Sequence, residues 1–171
     1  MVLTKSELIA SLQNEVRILL HLASKVNPSK LDYRPTPKQR STIELLRYLN
    51  VMGPALVQAA KTGAFDTAAW TAAENAAKDL DFEQTVAAIA THSDTYARLL
   101  GDMSDADFRT EITMFGPPSS RGAFLVNSLL CGCAAYRTQL FNYLKACGRE
   151  ELNTMNLWGG VDAPMPAAAE A

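Results

Sequence analysis

Apolar residues recur along this chain at intervals of three and four, the spacing that lines one face of an α-helix. The first run carries Leu8, Leu12, Val16, Leu19, Ala23 and Val26. It opens at Thr4-Lys5-Ser6-Glu7, where hydroxyl and carboxylate satisfy each other's backbone N–H groups, and Asn27-Pro28 stops it. A second run opens at Ser41-Thr42-Ile43-Glu44, sets Leu45, Leu49, Met52, Leu56 and Ala59 on one face, and ends at Gly63. Pro54 lies inside it and predicts a kink near Gly53. The third begins at Asp81-Phe82-Glu83-Gln84 and continues through Val86, Ile89, Tyr96 and Leu100 to Gly101 as one helix. The fourth follows Pro117-Pro118-Ser119-Ser120, carries Leu125, Leu129, Tyr136, Leu140 and Leu144 to Cys147, and places Gly148 for a left-handed stop. Four long amphipathic helices predict an all-α bundle.

The connections differ in kind. Leu31 to Arg40 contains Pro35 and Pro37 and should be an extended crossover. Asp66 to Asp79 is rich in alanine around a single Trp70, which predicts a short accessory helix between the second and third bundle helices. Phe108 to Phe115 alternates weakly, enough for a short strand at most. After the fourth helix, Asn156-Leu157-Trp158-Gly159-Gly160 is apolar enough that Trp158 should dock on the bundle. We therefore expect one domain over residues 1–162 and a disordered Ala/Pro-rich tail over 163–171.

With 171 residues, 48% of them hydrophobic, the chain can bury a core without metal or disulfide staples. Its net charge of −2 supplies no basic excess for phosphates, so a nucleic-acid partner is not expected. The uncharged stretch from Gly122 to Tyr136 is too short for a membrane span, and Lys5 and Glu7 interrupt any signal-peptide pattern at the start. Three cysteines at unpatterned spacing suit reduced thiols in a cytoplasmic protein. Cys131 and Cys133 lie about 200° apart on a helix and cannot share a ligand.

Candidate chemistry is sparse. The chain has 2 histidines, His21 and His92, and neither has a second ligand at a spacing that would put both on one helical face. His21 reads as a boundary residue, whereas His92, a turn from Ile89 and Tyr96, could line an interior cavity. Gly132 and Tyr136 stand one turn apart on the fourth helix, and Tyr48 lies on the second. A glycine facing tyrosines leaves room for close helix approach or for a pocket.

Arg40-Ser41-Thr42-Ile43-Glu44-Leu45-Leu46-Arg47-Tyr48-Leu49 resembles the start of helix two in the DinB-like four-helix-bundle superfamily, the DNA-damage-inducible proteins distinct from the polymerase of that name. Ala135-Tyr136-Arg137-Thr138-Gln139-Leu140-Phe141-Asn142-Tyr143-Leu144 resembles its last bundle helix, and Asn156 to Asp162 looks like a subgroup's closing motif. The resemblance implies an up-down-down-up bundle, commonly a homodimer. Its metal-bearing members hold nickel or zinc through one histidine on helix two and a His-x-x-x-His pair on helix four. Some relatives are transferases or isomerases acting on mycothiol, bacillithiol or glutathione. Carried over, the three ligand positions fall on Tyr48, Gly132 and Tyr136, none of them histidine. The expectation is a degenerate metal site without cofactor, lined by Tyr48, Gly132, Tyr136 and His92, serving a small apolar ligand or a partner. The alternative is a thiol-dependent enzyme with Tyr136 or Tyr48 as proton donor.

Overall fold

Polar caps decide where the long helices begin. The computed structural model describes residues 3–163. In it, helix α1 spans Lys5–Ala23, and Thr4 and Glu7 form the reciprocal capping box. Helix α2 spans Thr42–Thr62, with the Ser41/Glu44 box at its start and Gly63 at φ 81° at its end. That left-handed conformation is the reason for glycine there. Between them, a 3-10 turn at Pro28–Lys30 and bonds from the Thr42 and Ile43 N–H groups to the Tyr33 and Leu31 carbonyls hold the crossover.

Helix α3, Thr67–Lys78, starts from the Asp66 side chain and packs along α2. It is the accessory helix the Ala-rich stretch predicts. The third run is not one helix but two, α4 (Phe82–Ala90) and α5 (His92–Gly101). The break falls at Thr91, whose N–H bonds to the Ala88 carbonyl three residues back and whose hydroxyl bonds that same carbonyl at 2.8 Å. A side chain that competes for a helix carbonyl tightens the turn there and ends the α-ladder. Helix α6 (Asp105–Arg109) leads into a two-residue antiparallel pair, β1 (Glu111–Ile112) and β2 (Ser119–Ser120).

The fourth run is likewise subdivided. Helix α7 (Arg121–Phe124) passes through a π-helical segment, Leu125–Leu130, into α8 (Cys131–Ala146). Gly148 takes φ 94° just beyond it, as expected. Helix α1 packs against α4, α5 and α8, and α2 against α3, α4, α5 and α8, so four helical units surround one core. Leu12, Leu22, Leu45, Leu125, Leu129 and Leu140 are sealed from solvent at its centre. Each such side chain contributes about 1.5–3 kcal/mol by leaving water. Among the described residues no helix is long and apolar enough to cross a membrane.

The closing segment departs from expectation. Trp158 is 69% exposed, and the Arg137 guanidinium stands 5.6 Å from its ring centre. The buried anchors are Leu152, Asn156 and Gly160 instead. Asn156 Oδ1 accepts the Asn153 N–H at 2.9 Å, which turns its Nδ2 toward His21 Nε2 (3.1 Å) and Asp162 Oδ1 (2.9 Å). Arg17 donates to the Gly159 and Gly160 carbonyls, and Lys25 pairs with Asp162 at 2.7 Å. The polar groups of this turn are thus satisfied by α1, by Lys25 just beyond it and by Arg137 of α8, which donates to the Leu157 carbonyl, and Trp158 is left outside. The tail expected over 163–171 lies outside the described residues beyond Ala163.

Candidate functional site

Helices α2 and α8 bring Tyr48 and Tyr136 together. Their rings meet edge to face with centroids 5.0 Å apart, and the Tyr136 hydroxyl donates to the Tyr48 oxygen at 3.5 Å. Burial, and then the Tyr136 hydroxyl, push the Tyr48 phenol up to about 12, while Arg40 lies 3.8 Å over its ring. Gly132 is one turn before Tyr136 in α8. A methyl group there would lie 3.7 Å from Met52 Cε, so the Met52 thioether already occupies the space opposite. The two phenol rings are in direct contact, and the Met52 thioether faces Gly132 across the helix interface.

The open space lies one layer out. A cleft of about 870 Å³ runs between α2 and α3, with Phe65 and Trp70 on its wall, small residues such as Ala55, Ala69 and Ala73 along its floor and sides, and Asn50 within it. Tyr48 packs edge-on against Trp70 at 5.9 Å, and Trp70 against Phe65 at 5.5 Å. The tyrosine pair therefore buttresses the cleft wall from behind. Arg47 holds the far end by donating through Nε to the Leu80 carbonyl at 2.9 Å, and through Nη2 to the same oxygen. Sequence reasoning missed Asn50, Phe65 and Trp70 as site residues. The lone tryptophan in an alanine-rich helix was the available signal, since small neighbours around one large ring leave a concavity.

His92 is in a different compartment from the tyrosine pair. It is 4% exposed, with Nε2 3.3 Å from Asn50 Oδ1 and Nδ1 3.3 Å from the Tyr96 hydroxyl. Burial pulls its pKa down to about 4, so the ring is neutral. A void of about 10 Å³ lies beside it, lined by Glu15, His92, Tyr96 and Cys133 among others. Burial pushes the Cys133 thiol up to about 12, which leaves it protonated and unreactive near neutrality. Glu15 Oε2 approaches Arg137 Nε to 3.0 Å, outside hydrogen-bond alignment, and burial outweighs the Arg137 charge so that the Glu15 pKa rises. His21, His92 and Glu44 lie apart: His21 serves the closing turn, and Glu44 caps α2 and pairs with Arg34.

A crystal structure of a DinB-like protein from Bacillus subtilis superposes on 85% of this chain and 95% of its own, with a TM-score of 0.65 and 17% sequence identity. The fold is DinB-like. No protein-family model matches the sequence, and no curated protein matches it. The three positions that the resemblance carries over to a metal offer two phenols and a glycine. A phenol held at about 12 keeps its proton near neutrality, and a protonated phenol is a poor ligand for nickel or zinc. Met52 fills the space at the third position. Among the described residues no three His, Cys, Asp or Glu side chains converge so as to hold a metal ion. The donor set does not fit the group.

Proposed function

We propose that this DinB-like chain is a small-molecule-binding module whose ligand lies in the α2–α3 cleft and which works without a divalent metal. The observation that carries this reading is the cleft itself. About 870 Å³ falls within the range of pockets that enclose small organic ligands, and the lining is mostly apolar and aromatic, with the half-buried Asn50 amide and the exposed Gln58 amide among its few polar groups. Tyr48 and Tyr136, together with Gly132, then act as the rigid backing of the Trp70 wall rather than as ligand contacts. A proton-donor role for Tyr48 is disfavoured, because an acid near 12 transfers its proton poorly at neutral pH. The reading includes the up-down-down-up course of the bundle, a homodimer and a cytoplasmic setting, the last of which three free thiols suit.

The test is titration with N-phenyl-1-naphthylamine, whose fluorescence rises in apolar surroundings. Saturable enhancement is expected from the natural chain and its loss from Ala73→Trp, which fills the cleft. A folded natural chain that gives no saturable signal, or an Ala73→Trp variant that binds as before, refutes the reading.

A further inference from the structure

Asn50 reaches the cleft from the bundle interior, and its amide is held from behind. Tyr96 is 1% exposed, so its hydroxyl proton requires an acceptor within the protein. Among the described residues the hydrogen-bond partner of that hydroxyl is His92 Nδ1, at 3.3 Å. A neutral imidazole that accepts at Nδ1 carries its one proton on Nε2. An NH₂ group facing the Nε2–H would set proton against proton, so Asn50 turns Oδ1, at 3.3 Å, toward His92, and the Asn50 main-chain carbonyl adds a second oxygen on the same side. The amide is planar, so its NH₂ group is turned away from His92. Among the described residues that nitrogen has no protein acceptor and is not among the enclosed unpaired atoms, in keeping with the place of Asn50 on the cleft wall.

Gly53 makes the arrangement possible. A Cβ there would stand 2.0 Å from the Tyr96 hydroxyl and 3.2 Å from His92 Nδ1, so only the missing side chain lets the two groups meet under α2.

We infer that Asn50 presents a fixed hydrogen-bond donor to the cleft and is its specificity-determining residue, selecting apolar molecules that carry a carbonyl oxygen over hydrocarbons of the same shape. The inference rests on the cleft being the binding site and names the ligand class it takes. A buried donor left without an acceptor is penalised, so a ligand lacking the oxygen is rejected by about tenfold, the effect of one hydrogen bond.

Two measurements test it. The first is ¹⁵N NMR of histidine-labelled protein, which reports the tautomer. His92 should be the Nε2–H form, and His21, whose Nε2 accepts from Asn156, should be the opposite form. A His92 proton on Nδ1 would reverse the Asn50 amide and overturn the inference. The second compares 2-acetylnaphthalene with 2-isopropenylnaphthalene, its hydrocarbon isostere, by equilibrium dialysis. The natural chain should hold the ketone about tenfold more tightly, and Asn50→Asp should bring the ratio to one or invert it. Tyr96→Phe, which frees the imidazole to take either tautomer, should reduce the preference without abolishing binding and covers the case in which Asn50→Asp does not fold. Equal retention of both probes, or a preference untouched by these variants, refutes the donor while leaving the cleft intact. Failure of both probes to bind, or binding unchanged by Ala73→Trp, refutes the cleft reading itself.

Discussion

Replacing Gly53 by alanine should destabilise this protein, against the usual sign of that change in a helix. Glycine within a helix costs about 1 kcal/mol relative to alanine, so an exposed site would gain by the substitution. Gly53 is buried in the middle of α2, and the new Cβ would meet the Tyr96 hydroxyl at 2.0 Å and Tyr96 Cζ at 3.2 Å. Tyr96 has no free space into which to swing, because its ring is sealed in the core. Overpacking of this kind costs about 1–3 kcal/mol, and displacing the hydroxyl from His92 forfeits about another 1 kcal/mol. Set against the helix gain, the net loss is about 1–3 kcal/mol. In urea unfolding, with a slope of about 2 kcal/mol per molar, the midpoint should fall by about 1 M at constant slope. The double variant with Tyr96→Phe locates the cause: without the hydroxyl oxygen the nearest contacts are the ring carbon and His92 Nδ1, both at 3.2 Å, and the penalty should shrink by half or more. A Gly53→Ala midpoint equal to or above that of the natural chain would refute the packing argument, as would a penalty unchanged in the Tyr96→Phe background.

Protonation gives a second test. His92 titrates near 4 in the folded chain and near 6.5 when unfolded, so the unfolded state takes up the proton first. Stability from this group is complete above about 6.5 and is lost as pH falls toward 4, by an amount on the order of 3 kcal/mol. Glu15, whose pKa is raised, acts with the opposite sign and His21 with the same sign, so the share of His92 is read as the difference between natural and His92→Gln urea stabilities across that window. Parallel curves would refute the assignment. Asn156→Ala removes a buried side chain that bonds to Asn153, His21 and Asp162; it should cost about 1–3 kcal/mol and expose the closing turn to proteolysis before the bundle unfolds. Unchanged proteolysis would show that the turn is held by other contacts. The triple change Tyr48→His, Gly132→His and Tyr136→His should create nickel or zinc affinity measurable by calorimetry. A folded triple variant that binds neither ion would mean that these positions do not correspond to the metal-bearing ones.

Much of the fold was legible because helix starts are written locally. The Thr4/Glu7, Ser41/Glu44 and Asp81/Gln84 boxes all form at the positions their spacing indicates. The break at Thr91 was hidden, since a threonine hydroxyl that bonds its own helix does not disturb the apolar periodicity on either side. The π segment at Leu125–Leu130 was hidden for a similar reason: one extra residue in a turn leaves an unbroken apolar run. Trp158 misled because hydrophobicity was weighed without the polar needs of its neighbours, which direct Asn156 and Gly160 inward instead. At the candidate site the helical faces and the family resemblance pointed Tyr48 and Tyr136 to neighbouring positions, but whether their rings and hydroxyls meet was not legible, because that depends on how far α2 and α8 approach. The part played by Asn50 depends on Gly53, His92 and Tyr96 acting together across α2 and α5, and no local pattern announces such a chain of bonds.

The closing turn also bears on how the protein is made. Arg17 and His21 of α1, and Lys25 just beyond its end, find their partners in Gly159, Asn156 and Asp162, 135 to 142 residues later in the chain. Helix α1 is synthesised before those positions and therefore keeps part of its polar surface unmatched until they have followed it. Docking of the turn onto α1 must wait for those residues, and a chain halted before Asn156 would present the quality-control machinery with an open seam along α1.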